Sequence, residues 1–335
     1  ESDPTKFHGL GQFDVETGES SKPSSGKSYS KLFGETLTYL AKEDEKIIAI
    51  TAAMAAGTGL DIFANELPDQ FFDVGIAEQH AITFAAGLAI GGYKPVAAIY
   101  SSFMQRCYDQ VIHDAALQHL PVKIFMDRAG LVGEDGETHQ GMFDISFMRA
   151  VPDLVFMAPK DGIEFQDMIY TSIKYDEGPT AVRFPRGNVP NSKEEGNYNE
   201  IPIGKAEVLR EGKDVMIFAI GNMVLPSIEI ADDLKKHGVD AGVVNARFIK
   251  PIDKDLIIKY LKAGLPIATI EDNTLVAGFG SAVLEVINES GLGNKNVINF
   301  GLPDQFIEHG SVKQLFEQLK LDNKSVVKAI IKYLK

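Results

Sequence analysis

The 335 residues are long for one domain and enough for two, each able to bury its own core. A net charge of -14, from 47 acids and 33 bases with no long basic block, argues against nucleic acid or an anionic membrane as partner, and leaves a small anionic ligand held by a few local arginines. The single cysteine, Cys107, excludes a disulfide framework and a thiolate zinc cluster and fits a reducing cytoplasm, and no apolar run reaches the ~20 residues of a membrane span.

Residues 1–28 are rich in Gly, Pro and Ser and read as a linker. The opening ESDPTKFHGLGQFD has no initiator methionine, signal peptide or element of its own, as expected of a chain cut from something longer. An amphipathic helix is predicted from Tyr29, then a strand over 46–51, a Gly/Ala-rich turn and a short helix to Asn65. The stretch FFDVGIAEQHAITFAAGLAIGG, residues 71–92, reads as a strand feeding a buried helix that opens on Glu78. Its many alanines also suit close approach by another backbone, at a helix or subunit contact.

The alternation continues with PVAAIYS (strand), SFMQRCYDQVIHDAALQH (helix), PVKIFMD (strand), a polar loop over 128–141, LVFMAP (strand), a helix over 162–175 and PTAVRFP (strand). This pattern predicts an α/β fold with a mostly parallel, helix-covered sheet, whose ligands collect beyond the carboxyl ends of the strands. Residues 188–203, broken by prolines, glycines and charges, separate a first domain over 29–187 from a second over 204–335. The second domain alternates likewise, as strands DVMIFAIG, VDAGVVNA, PIATIED and KNVINFG, helices between them and two terminal helices. Fewer polar residues stand at its strand ends, which points to a structural or interface role.

Glu78 has two readings. It is a first-turn acid favoured by the helix dipole, or a carboxylate held in a low-dielectric place to exchange a proton with a ligand. Tyr100 and Ser101 follow one predicted strand, with Phe103 and Arg106 in the next turn, and Asp127 and Arg128 follow another. Arg183 and Arg186 end the last strand of the first domain. These arginines either clamp a phosphate or carboxylate or pair with neighbouring acids. DRAGLVGEDGETHQG supplies Asp135, Glu137 and His139 in a flexible-looking, Gly-rich loop, where a histidine suits proton transfer near neutral pH. His80 falls on another side of the helix from Glu78, and His8 in the linker is either surface or folded back over a site. No zincin, P-loop, serine-hydrolase or CxxC motif occurs, and KIIAITAAMAAG lacks the glycine pattern of a dinucleotide fold.

FFDVGIAEQHAITFAAGLAIGGYKPVAAIYSSFMQRCYDQVIHD, DRAGLVGEDGETHQGMFD, AVRFPRGN, ARFIKPID, EDNTLVAGFGSAV and NFGLPDQFIEHG together resemble the second and third domains of the 1-deoxy-D-xylulose-5-phosphate synthase family, over essentially the whole chain. The resemblance implies a transketolase-like pyrimidine-binding domain followed by a transketolase C-terminal domain. It also implies a homodimer that condenses pyruvate with glyceraldehyde 3-phosphate using thiamine diphosphate and Mg2+. By resemblance, Glu78 meets the aminopyrimidine of the cofactor, with Ile76, Phe103 and Arg106 in the cofactor pocket. Tyr100, Arg128, Asp135 and Arg186 serve the substrate, and His139 and His8 assist the chemistry. The family's first domain, which holds the diphosphate and metal, has no counterpart here, so the chain is expected to be inactive without an N-terminal domain or its separate chain. Two other readings stay open: the C-terminal polypeptide of a split transketolase or an E1 beta-like subunit, and a non-catalytic interaction module with Arg128 and Arg186 paired internally.

Overall fold

The computed structural model describes residues 13–19, 26–292 and 297–335. In chain order its strands are β1 (Ile47–Thr51), β2 (Phe71–Asp73), β3 (Lys94–Tyr100), β4 (Lys123–Asp127), β5 (Val155–Met157), β6 (Thr180–Arg183), β7 (Glu207–Arg210), β8 (Val215–Ala219), β9 (Ala241–Asn245), β10 (Phe248–Lys250), β11 (Ile267–Thr274) and β12 (Val297–Leu302). They form a seven-stranded sheet, ordered β10-β5-β6-β4-β3-β1-β2, and a five-stranded sheet, ordered β12-β11-β8-β9-β7. Pairing is parallel except for β10 on β5 and β7 on β9.

The continuous apolar runs form the inner strands. β1, β4, β6, β8 and β9 are buried along their whole length, as strands covered on both faces must be. β4 nevertheless begins with a lysine. The Lys123 ammonium is buried, donates to the Tyr175 carbonyl and lies 3.6 Å from Asp176, and burial pulls its pKa down to about 8.

On one face of the first sheet, the helix Tyr29–Glu43, capped by Ser28, and the helix Gly162–Lys174, capped by Asp161, enclose an aromatic core of Phe33, Phe125, Phe165 and Phe184. On the other face the helix Glu78–Ile90 joins a core that runs without interruption into the second sheet, through Phe156, Phe218, Ala246 and Phe279. A third core lies under the helices Val224–Lys236 and Asn323–Leu334.

Four expectations change. The segment predicted as one helix after β3 is a 3-10 turn (Met104–Cys107), a short α-turn (Tyr108–Gln110) and a π-turn (Val111–Ala116). The Glu78 helix buries Ala81, Ile82, Ala85, Ala86 and Ala89 but exposes Gln79, His80, Thr83, Gly87 and Ile90, so its apolar composition does not make it a fully buried element. β7 and β10 are additional strands, and β10 crosses from the second half of the chain to pair with β5 of the first sheet. Finally, the second sheet is not poor in polar strand ends: Glu271, Asp272 and Asn273 close β11, all buried.

One of these, Asp272, meets the first sheet directly. Arg183, at the end of β6, donates from Nε to Asp144 (2.9 Å) and from Nη1 to Asp272 (2.7 Å), and all three side chains are buried. Burial pushes the Asp144 carboxyl up, against the pull of Arg183. A second bridge runs from Glu164 to Arg247 (2.7 Å), with Lys160 and Glu207 in the same cluster. Removing one member of a buried pair leaves a charge with neither water nor partner. Arg183→Ala should therefore lower stability by about 3–5 kcal/mol in urea unfolding; a loss below about 1 kcal/mol would show that the interface is wet and the triad unimportant.

Candidate active site

The carboxyl ends of β1, β3 and β4 open onto a common edge. The turn after β2 brings the chain to Glu78, the first residue of its helix, while the 3-10 turn after β3 delivers Phe103 and Arg106 to the same place. The Glu78 side chain is only 3% exposed, and its Oε2 lies 3.3 Å from Arg106 Nη1 with no hydrogen bond of its own. A buried carboxylate oxygen lacking a donor is costly, and calls for a ligand N–H or O–H. The neighbouring Cys107 thiol is pushed up to about 12, by burial first and the Glu78 charge second, so it stays a neutral filler.

A second group continues from this pair. The Tyr100 and Phe103 rings stack at 5.6 Å, and the His139 imidazole meets Phe103 edge-on at 5.4 Å. The Arg128 guanidinium lies over the Tyr100 ring at 4.3 Å. Arg186 Nη1 reaches Asp135 Oδ2 at 2.8 Å, and Arg128 Nη1 stands 3.9 Å from the same oxygen. His139 Nδ1 is 2.8 Å from the Thr138 hydroxyl. The sequence-derived candidates Tyr100, Phe103, Arg128, Asp135, His139 and Arg186 are thus brought together, beside Glu78 and Arg106. Ile76 lies exposed in the turn before Glu78.

Other candidates fall elsewhere. Arg183 is no part of an anion clamp, because both its contacts are the buried carboxylates between the sheets. His80 turns away and stacks on Phe84 at 5.9 Å. His8 lies outside the described residues. The Gly-rich loop is packed rather than free: a Cβ on Gly130, which has φ +74°, would stand 1.8 Å from Asp272 Oδ2. A separate cleft of about 840 Å3, lined by Lys46, Asp69, Phe72, Leu88 and Tyr93, does not include Glu78.

Sequence reading noted Asp127 only as a strand end. It is buried, accepts from Ser30 Oγ at 2.6 Å and leaves Oδ1 without a partner. Burial pushes its carboxyl up to about 7. Gly57 was also missed, in a glycine run of low specificity; a Cβ there would come within 2.1 Å of the Tyr100 hydroxyl. Among the described residues no group of three or more His, Cys, Asp or Glu is placed to hold a metal ion, and no helix is long and apolar enough to cross a membrane.

Comparison with known proteins gives two family matches along the chain. Residues 25–192 match the family model "Transketolase, pyrimidine binding domain", and residues 204–326 match "Transketolase, C-terminal domain". The chain is 50% identical over 332 residues to the 1-deoxy-D-xylulose-5-phosphate synthase of Halothermothrix orenii, covering 99% of this chain and 52% of that protein. It is 51% identical over 341 residues to that of Caldanaerobacter subterraneus, covering 53% of it. The chain therefore spans about half the length of the curated relatives it matches. Among solved structures, a chain described as "Split gene transketolase, inactive beta4 tetramer" superposes with TM-score 0.81 at 31% identity, over 92% of this chain and 99% of that one. The transketolase of Campylobacter jejuni shares the fold, with TM-score 0.74 at 21% identity over 93% of this chain and 48% of its own.

The Asp127 carboxyl sets a pH dependence of stability. With a folded pKa of about 7 and an unfolded value near ~3.9, the fold keeps a proton that the unfolded chain has released between those limits. Its contribution is complete below about pH 4 and is lost as pH rises through about 7. Asp127→Asn should accordingly gain in urea midpoint over the unaltered protein on going from pH 5 to pH 8; a constant difference at both pH values would mean that Asp127 is ionised throughout.

Proposed function

The chain belongs to the transketolase family, and from that premise we propose that it forms the pyrimidine-binding and C-terminal half of a 1-deoxy-D-xylulose-5-phosphate synthase. The reaction proposed is the condensation of pyruvate with glyceraldehyde 3-phosphate, with loss of carbon dioxide. The observation that carries this reading is the buried Glu78 carboxylate, whose Oε2 is ion-paired with Arg106 at 3.3 Å but accepts no hydrogen bond from the protein. The half-identity to synthases of that name supports the choice of substrates.

The donor set fits the pyrimidine end of thiamine diphosphate. Glu78 Oε2 would accept a hydrogen bond from the protonated ring and so hold a proton there, Phe103 and Ile76 would supply apolar contact, and Arg106 would balance the charge of Glu78. When bound, the cofactor supplies the electron sink for decarboxylation and carbon–carbon bond formation. We assign its diphosphate and Mg2+ to an N-terminal domain of the complete enzyme, in the same or a separate polypeptide.

On the substrate side, Arg128 and Arg186 bind the acceptor phosphate, with Tyr100 stacking under Arg128 to fix its plane. Asp135 contacts both guanidiniums and would hold them in place for the phosphate. His139 moves a proton at the carbonyl oxygens, assisted by His8. We further propose a cytoplasmic homodimer, in keeping with the free, buried Cys107 and the exposed Ile90, Ile112 and Leu117 around the Glu78 helix.

Two observations favour other readings. The close superposition on a split-gene transketolase chain supports a ketose-phosphate donor, which an assay of the complete enzyme with each substrate pair distinguishes. The internal pairing of Arg128 and Arg186 is what a non-catalytic interaction module predicts, and such a module would gain no stability from thiamine diphosphate and Mg2+ with the N-terminal domain present.

Glu78→Ala in the complete enzyme should leave the urea midpoint close to that of the unaltered protein and lower turnover by about 100-fold or more. Near-normal turnover would remove Glu78 from the chemistry and the proposal with it.

A further inference from the structure

Gln140 follows His139 directly and is turned the opposite way, with only 3% of its surface exposed. Its Oε1 accepts from the Val132 N–H at 2.8 Å, at the entry of the Gly-rich loop. Its Nε2 donates to the carbonyls of Ile307 and Glu308, at 3.5 and 3.3 Å, in the segment after β12. Two more contacts run along the same seam. Gly310 N–H donates to the Gly133 carbonyl at 3.3 Å, and a Cβ on Gly136 would stand 3.3 Å from the His309 Cβ. Inside the loop, the His139 and Gln140 N–H groups both point to the Gly136 carbonyl, at 3.0 and 3.1 Å. The turn bearing Asp135 and His139 thus touches the second half of the chain at its outer side, and the primary amide of Gln140 hydrogen-bonds across the seam, beside the ring contact of Phe143 with Phe306.

We propose that Gln140 is a positioning residue: it ties the Asp135–His139 turn to the 303–311 segment, so that the C-terminal domain sets how these two side chains face Phe103 and the arginines. The proposal rests on the reading of Asp135 and His139 as substrate-facing groups. A primary amide offers an acceptor and two donors on one short stem, which is what a site with one N–H and two carbonyls requires. Alanine leaves all three backbone groups unpaired. Glutamate keeps the acceptor for Val132 and sets a negative charge against two carbonyl oxygens.

The test compares the unaltered chain with Gln140→Ala and Gln140→Glu by residue-resolved amide hydrogen exchange, then by kinetics in the complete enzyme. The Val132 amide loses its partner in Gln140→Ala by design, so the informative amides are Gly136 and His139, whose own bonds do not involve the Gln140 side chain. Both variants should speed their exchange by about ten-fold or more while the helix Asn323–Leu334 keeps its rates. KM for the phosphorylated aldehyde should rise by about ten-fold with KM for pyruvate unchanged. Unchanged exchange at Gly136 and His139 overturns the positioning role alone. Faster exchange with unaltered kinetics overturns both that role and the assignment of Asp135 and His139 to the substrate. Should Gln140→Ala not fold, Gln140→Glu, which retains the Val132 contact, carries the same comparisons.

Discussion

One guanidinium shared between two carboxylates holds the molecule in its arrangement. Arg183 ends β6 of the first sheet, Asp144 starts a short helix beside it, and Asp272 comes from β11 of the second sheet. Three charged groups without water are tolerable only in good geometry, so the two sheets have little freedom to slide or tilt past one another. The preceding residue, Glu271, accepts from the Phe279 and Gly280 N–H groups at the start of the helix Phe279–Glu289, and burial pushes its carboxyl up to about 7. Protonation of Glu271 below about pH 7 limits the excess of negative charge around a single arginine.

The same triad bears on which sheet offers the candidate site. In open α/β sheets the crevice beyond the strand ends is where ligands bind. At the second sheet that crevice is filled by Arg183 and Asp144 from the first, and the close fit of Asp272 against Gly130 draws the Gly-rich loop down onto the filled end. At the first sheet Glu78, Phe103 and the Arg128–Arg186 pair gather beyond the ends of β3 and β4.

Local pattern made much of this legible. The apolar runs of the inner strands, the apolar stretch behind Glu78 and the broken composition of 188–203 are visible in the residues themselves. β7 and β10 are not, because each is defined by a partner elsewhere: β10 has three residues, just before Pro251, and pairs antiparallel with a strand about 90 positions earlier. Arg183 and Arg186 look alike at a strand end. The difference lies in Asp144 and Asp272, 39 and 89 residues away, which capture the first and leave the second half-exposed. The loop glycines misled in another way. Glycine permits motion, but it also permits close approach, and at Gly130 and Gly136 approach is what the fold uses. Gln140 carried no signal, since a glutamine in a polar loop has no pattern that announces burial.

The crossing of β10 has a consequence for how such a protein can be divided or recombined. β10 is the terminal strand beside β5, so the first sheet reaches its full width only with a strand encoded in the part of the chain that matches the C-terminal-domain model, beyond the gap between the two matches. A gene cut in that gap would yield a first unit with the β5 edge uncovered, presenting unpaired backbone to any extended chain, and a second unit with a stray apolar strand. The two halves are separate in sequence and in family model, yet they are not interchangeable cassettes: shuffling them between relatives would require the β5–β10 register and the Arg183 contacts to travel together.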